Sequence, residues 1–270
     1  MADPGAFAAS AAPVFCAESE LGYRRSLTDF ADGPLTLDEP YRLAHLPLVA
    51  PDHPRVIARQ EGRSYEMGVH PPVYSLVLPV DGALLAGSEP FQRLDNEIRA
   101  APFAPKIAWG ILPRRAQRLH ATLCGTLSTG DAPVISDETR EALARIEPFA
   151  VDLRGPFSGN VNRGRIYLRA YPEKRGERNP IHAIQAAFGR PPGDLYLVGL
   201  YNLTDDLDTG ETAALAEIIA RWWDVSLLRF TVTDLWLLGA SDDLVLDSQI
   251  SETLPLGTAG RLSPKLPARP

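Results

Sequence analysis

Cysteine is nearly missing from this chain. Cys16 and Cys124 are the only two thiols in 270 residues, so there is neither a disulfide framework nor a cysteine-based zinc site. Histidine is also scarce: His45, His53, His70, His120 and His182 are all there are, and no pair has the spacing of a metal site. No run approaches the roughly eighteen apolar residues that a membrane span needs. The first residues lack a basic stretch ahead of an apolar one, the mark of a secretory leader. A cytosolic protein with no membrane partner is therefore expected. Positive charge is in deficit as well. The net charge of −7 argues against non-specific binding to duplex DNA, while leaving room for a local basic cleft that takes a phosphate-bearing ligand.

What is present is ordinary for a soluble globular protein, with 45% hydrophobic and 23% charged residues. The length suffices for a sizeable core, as one large domain or two small ones. The 25 prolines gather in loops and toward the two ends. Residues 1–13, "MADPGAFAASAAP", read as disordered, and the whole of 1–72 reads as an irregular extension that wraps the rest with short elements. Residues 257–270 read as an unstructured tail. Between these ends, 73–256, the text alternates regularly.

Strands are expected at 73–80, 118–127 and 149–157, with helices over 89–102 and 136–146 between them. Ser136 is placed as an N-cap with acidic residues in the following turn. The order then repeats. Strands are expected at 165–172, 195–203 and 228–240 and helices at 179–189 and 208–223, the first opened by Asn179 and Pro180 and closed by Gly189, the second opened by Asp208 with Glu211. Two β-α-β-α-β units in succession, about 73–157 and 164–256, indicate an internal duplication in which each unit buries a face of the other.

The strand "RLHATLCGTL" carries a histidine and a threonine two residues apart, which places both on one face. As a core feature this would be a hydrogen-bonded ring beside a β-branched strand former. The four residues His120, Ala121, Thr122 and Leu123 also resemble the His-x-Thr-Leu signature of the 2H phosphoesterase superfamily, the LigT-like or 2′-5′ RNA ligase-like proteins. The resemblance covers roughly residues 73–256 and implies an α+β, bilobal fold: duplicated units with two pseudo-symmetric sheets around a central cleft, each lobe contributing one such motif. It implies metal-free acid–base chemistry without a cofactor. One ring takes a proton from the nucleophile and another gives one to the leaving oxygen, and imidazole suits either task because it titrates near neutrality. In that scheme His120 is the acid or base and Thr122 holds the phosphate, whose developing charge the surrounding donors stabilise.

The second motif falls on "LYLVGLYNL", where Leu197 stands at the histidine position and Gly199 at the hydroxyl position. No register supplies a ring, because nothing after residue 182 is histidine. On the same face, Tyr201 could donate to a phosphate or stack on a base, or be an ordinary strand aromatic. Gly199 would admit a close ligand or mark a bulge. Arg165, Tyr167 and Arg169 alternate onto one face and suit a phosphate-bearing ligand, unless the strand is a solvated edge guarded by charge. Arg114, Arg115 and Arg118 could steer an anion or solubilise a loop. Trp222 and Trp223 read as core. His182, near a helix start, and His45, His53 and His70, in the extension, are the rings that could substitute for the missing one.

Two functions follow from the resemblance. The first is a phosphoesterase, a hydrolase acting on a cyclic phosphate or a 2′-5′-linked nucleotide or RNA end. The alternative is a degenerate relative that binds a nucleotide or RNA end without turnover. The expected partner is that small ligand, and the expected state is monomeric.

Overall fold

The computed structural model describes residues 12–24, 33–158 and 162–257. The stretch expected to be disordered therefore lies almost wholly outside the described residues, and so does the expected tail except for Gly257. Among the described residues no helix is long and apolar enough to cross a membrane.

Two short helices, α1 (Glu39–Ala44) and α2 (Leu46–Val49), open the fold and lead into β1 (Val69–Pro79). Helices α3 (Gly82–Gly87), α4 (Glu89–Ala100) and α5 (Leu112–Arg115) precede β2 (His120–Thr129). Helix α6 (Asp137–Ala144), β3 (Phe149–Phe157), β4 (Arg165–Pro172), α7 (Pro180–Ala187) and β5 (Leu197–Asn202) follow. The chain ends through α8 (Thr209–Trp222), β6 (Ser226–Val232), β7 (Asp234–Asp242) and β8 (Ser248–Pro255).

Helix starts follow their capping residues. Ser136 accepts from the Thr139 N–H, Asn179 from Ile181, and Asp208 from Glu211, whose carboxylate in turn accepts from the Asp208 N–H. Each such cap satisfies orphan backbone donors and contributes on the order of 1 kcal/mol.

The eight strands form one antiparallel sheet in the order β6-β3-β4-β5-β2-β1-β7-β8. The two expected sheets are thus two four-stranded halves of one, and the α+β, two-lobed plan holds in that form. The halves meet where β2 and β5 share a single registered pair, Ala121 with Val198. Read inward from its edge, each half has an edge strand, a strand arriving from the other sequence unit, and then the first two strands of one unit. β3 leaves β1 and β2 to pair with β4, and β7 leaves β4 and β5 to pair with β1.

The expected strand over 228–240 is two strands, β6 and β7, separated by Thr233 alone yet first and seventh in the sheet order. Consecutive Cα atoms are only about 3.8 Å apart, so the sheet must curl until its distant strands approach one another. β8 is an additional strand. Its text, "SQISETLP", is mostly polar and every second residue is exposed, as befits an outer edge. The turn before it is shaped by Asp242, whose carboxylate accepts the N–H groups of Leu244, Leu246 and Asp247 at 2.8, 3.1 and 2.8 Å.

The N-terminal extension is welded to the core. Leu35 exchanges backbone hydrogen bonds with Leu207 and also donates to Thr212 Oγ1. The Tyr41 hydroxyl donates to the Leu203 carbonyl at 2.7 Å. Leu35, Leu37, Tyr41 and Leu46 are fully buried, and each such side chain contributes roughly 1.5–3 kcal/mol of burial energy. Further upstream, the Tyr23 hydroxyl donates to the carbonyls of Ala170 and Tyr196, covering that end of β4 and β5.

Candidate functional site

Where β2 meets β5, side chains from both open into a cavity of about 310 Å³. β2 contributes His120 and Thr122. Ala121 and Leu123 point the other way and are buried. β5 contributes Leu197 and Gly199. The seam pair Ala121–Val198 lies between them, so His120 and Leu197 precede it while Thr122 and Gly199 follow it. About this pair, His120 is related to Leu197 and Thr122 to Gly199.

The His120 ring is oriented by a hydrogen bond from Nδ1–H to the Arg118 carbonyl at 2.7 Å, which leaves Nε2 as the unprotonated nitrogen. Burial lowers its pKa to about 4; the Arg118 carbonyl opposes the fall, and the guanidinium groups of Arg165 and Arg115 add to it. At neutral pH this ring is therefore unprotonated at Nε2.

Arg165 and Tyr167 of β4 line the same cavity. β4 is an interior strand, flanked by β3 and β5, so the edge-strand reading of this basic stretch is overturned. The Arg165 guanidinium lies over the Tyr167 ring, 5.3 Å from its centroid, and Nη1 donates to the Asp243 carbonyl at 3.0 Å. It also lies flat against Gly199: a Cβ there would stand 2.1 Å from Nη2 and 2.3 Å from Cζ. A fork of donors therefore fills the space in which the second half would present its hydroxyl. With glycine at 199 the guanidinium can lie here; a β-carbon would displace it.

Two expectations are corrected. Tyr201 does not line the cavity. The pairing of β4 with β5 runs Tyr167 to Gly199 and Ile166 to Tyr201, so Leu200 is an extra residue on β5 and alternation breaks at this bulge. Tyr201 is turned away, its hydroxyl donating to Asp95 Oδ1 at 2.7 Å and its ring packed edge-on against Trp109. Arg169 continues the row of Arg165 and Tyr167 but is wholly buried, held by the carbonyls of Trp223 and Gly155 and stacked 3.6 Å from the Trp223 ring centroid. Trp222 and Trp223 are core residues, as expected.

The extension lends two rings. His45 follows α1 and His70 stands at the start of β1, and both line the cavity. His45 is fully buried and stacked on Tyr41, with centroids 5.1 Å apart and planes at 12°. Burial, followed by the Arg165 charge, lowers its pKa to about 3 against the pull of Asp243. His70 donates from Nδ1 to the Pro71 carbonyl at 2.7 Å, and its Nε2 lies 3.3 Å from Asp243 Oδ1. The Asp243 carboxylate raises the pKa of this ring, and the Pro71 carbonyl helps against the opposing effect of burial. His53 and His182 lie elsewhere, paired with Asp205 and Asp194.

Asp243 and Arg115 are site residues that the sequence reading did not single out in these roles. Burial alone would raise the Asp243 pKa, but His70, His45 and the Tyr65 hydroxyl, which donates to Oδ2 at 2.9 Å, bring it down to about 2. Arg115, expected either to steer an anion or to solubilise a loop, is buried and clamps the bulge from behind through Gly199 O at 2.7 Å and Leu200 O and Asn202 Oδ1 at 3.2 Å. Its signal was a second arginine in a short helix just ahead of the motif; nothing in sequence marks which of the two turns inward.

Among the described residues six buried side-chain nitrogens have no hydrogen-bond partner, and four of them belong to this cavity's lining: both nitrogens of His45, Nε2 of His70 and Nε of Arg165. Buried polar groups are nearly always paired, so four unpartnered nitrogens around one cavity set this lining apart from the rest of the described interior. No group of three or more His, Cys, Asp and Glu among the described residues is arranged to hold a metal ion.

No family model matches the sequence, and no curated protein does. Among solved structures, the chain is similar to TT0787 of Thermus thermophilus, at 16% identity and a TM-score of 0.38 over 68% of this chain and 98% of that one. It is also similar to E. coli LigT complexed with NADP+, at 12% identity and a TM-score of 0.36 over 70% of this chain and 99% of that one.

Proposed function

We propose that the cavity binds a phosphoester and that the chain is a LigT-like 2H phosphoesterase, hydrolysing a cyclic phosphate or a 2′-5′-linked nucleotide or RNA end without a metal. The observation that carries this reading is the meeting of three groups at one seam. His120 offers a neutral ring with Nε2 unprotonated, Thr122 a hydroxyl on the same face, and Arg165 a guanidinium over Gly199. A base, a hydroxyl donor and a planar fork of N–H groups are what a phosphodiester oxygen set and its attacking water call for. The motif His120-Ala121-Thr122-Leu123 lies on β2, which pairs with β5 where the two halves meet, and this supports the reading.

A second reading, binding without turnover, is favoured by Leu197 and Gly199, which put no ring and no hydroxyl on β5. Incubation with 2′,3′-cyclic nucleotides and 2′-5′ dinucleotides, beside His120→Ala, separates the two. Turnover that falls by about 100-fold or more in the variant supports the enzyme. Saturable binding with no turnover supports the second reading, and the absence of both removes the phosphoester reading altogether.

A further inference from the structure

Building on the phosphoester reading, we infer that His70, carried in by the N-terminal extension, protonates the leaving oxygen and so replaces the ring that β5 lacks.

The need is local. Around the seam, β5 presents Leu197 and Gly199, neither of which can give a proton. The side chains that can must come from elsewhere; the cavity's other nitrogen-bearing side chains are His45, His70, Asn162 and Arg165, and the Asn162 amide does not titrate. Arg165 does not release a proton in the working range. His45 is enclosed beside Tyr41 with the Arg165 and Arg115 charges acting on it, which disfavours its protonated form, so it is not the acid.

His70 is placed differently. Its Nδ1–H is committed to the Pro71 carbonyl, which fixes the ring and leaves Nε2 as the reactive nitrogen. Nε2 lies 3.3 Å from Asp243 Oδ1, close enough for an ion pair, yet it is not aligned into a hydrogen bond. A proton held there is stabilised by the carboxylate without being locked to it. The charged and titratable groups around the ring are Asp243 and Asp242 from the end of β7, Tyr65 packed edge-on at 5.1 Å, and, across the cavity, Arg165 and His45. Asp243 ties the assembly together, since its backbone carbonyl accepts from Arg165 while its side chain faces His70 and accepts from Tyr65. The environments push His120 and His70 in opposite directions, which is how a base and an acid are separated in one site.

The step balances with water as the nucleophile. A water oxygen bonds to the phosphorus of a 2′,3′-cyclic phosphate as its proton passes to His120 Nε2. The bond from phosphorus to one ribose oxygen breaks, and that oxygen keeps the electron pair and takes the proton from His70 Nε2. The product is a phosphomonoester with a free hydroxyl, and exchange with solvent discharges His120 and recharges His70.

The test is a pH–rate profile with 2′,3′-cyclic AMP for the unmodified full chain, His120→Ala, His70→Gln and Asp243→Asn. His70→Gln is expected to lower kcat by about 100-fold or more and to abolish the descending limb at high pH. It should leave the dissociation constant of 2′-AMP within about threefold, since no phosphate contact is removed. Asp243→Asn should retain turnover but shift the descending limb to lower pH, because the ring loses the charge that favours its protonated form. This second variant carries the test if thermal unfolding reveals that His70→Gln does not fold. Turnover that depends on His120 but survives His70→Gln with both limbs intact, or a limb unmoved by Asp243→Asn, overturns the acid role and leaves the phosphoester reading standing. No turnover by the unmodified chain, or turnover indifferent to His120→Ala, overturns that reading and the acid role with it.

Discussion

The guanidinium of Arg165 and the backbone of Gly199 occupy adjoining space so closely that a β-carbon at 199 would stand 2.1 Å from Nη2. The two residues come from neighbouring strands, paired Tyr167 to Gly199, and together they give the second half of the sheet a charge where the first half has the Thr122 hydroxyl. Gly199→Ala should therefore displace the guanidinium. Its far end is flexible, so the unfolding midpoint should move little. The dissociation constant of 2′-AMP should rise by about tenfold or more, the loss of one good charge-assisted contact. Isothermal titration beside a thermal melt checks both halves of this expectation. A large loss of stability with unchanged affinity would show the glycine to be a packing requirement alone.

Arg165→Lys keeps the charge but loses the planar fork and its stacking over Tyr167. The expected result is a KM for 2′,3′-cyclic AMP raised by about tenfold or more, with kcat reduced less. Steady-state kinetics at constant ionic strength decide the matter. An unchanged KM would mean that the guanidinium shapes the cavity without touching the phosphate.

His45 links folding to pH. Its folded pKa of about 3 lies below the ordinary imidazole value, so the unfolded chain binds a proton that the folded chain excludes. The penalty is absent above about pH 6.5 and grows by about 1.4 kcal/mol for each pH unit below it, until the folded ring titrates. His45→Phe removes that dependence and two unpartnered buried nitrogens. Urea unfolding should therefore find the variant losing stability less steeply between pH 6 and pH 4, with weaker binding of 2′-AMP at pH 7. A slope equal to that of the unmodified chain would mean that the ring is solvated and titrates normally.

Much of the framework was legible in the sequence because it is local. Ser136, Asn179 and Asp208 cap the helices they were expected to cap, and the pair His120 and Thr122 shares a strand face through simple alternation. Leu197 and Gly199 flank Val198 on β5 as His120 and Thr122 flank Ala121 on β2. What failed depended on distant partners. Tyr201 was misplaced because the bulge at Leu200 exists only in the pairing with β4. For Arg169 the sequence leaves a ligand-facing residue and a solvated edge both open, because nothing near it announces that Trp223 will stack on it from another part of the chain. β8 was passed over because a polar edge strand hardly differs from a loop in composition. His45 and His70 were visible only as isolated rings among prolines, and their meeting with Asp243, more than 170 positions away in the chain, is a purely tertiary fact.

The most direct test of the account is the titration of the His120 ring itself, followed by nitrogen-15 NMR with and without 2′-AMP. The expected ring is protonated at Nδ1 and neutral through the physiological range, with a pKa of about 4 in the free protein that rises when the phosphate binds. A His120 that titrates near the ordinary imidazole value of about 6.5 and does not respond to the nucleotide would contradict it.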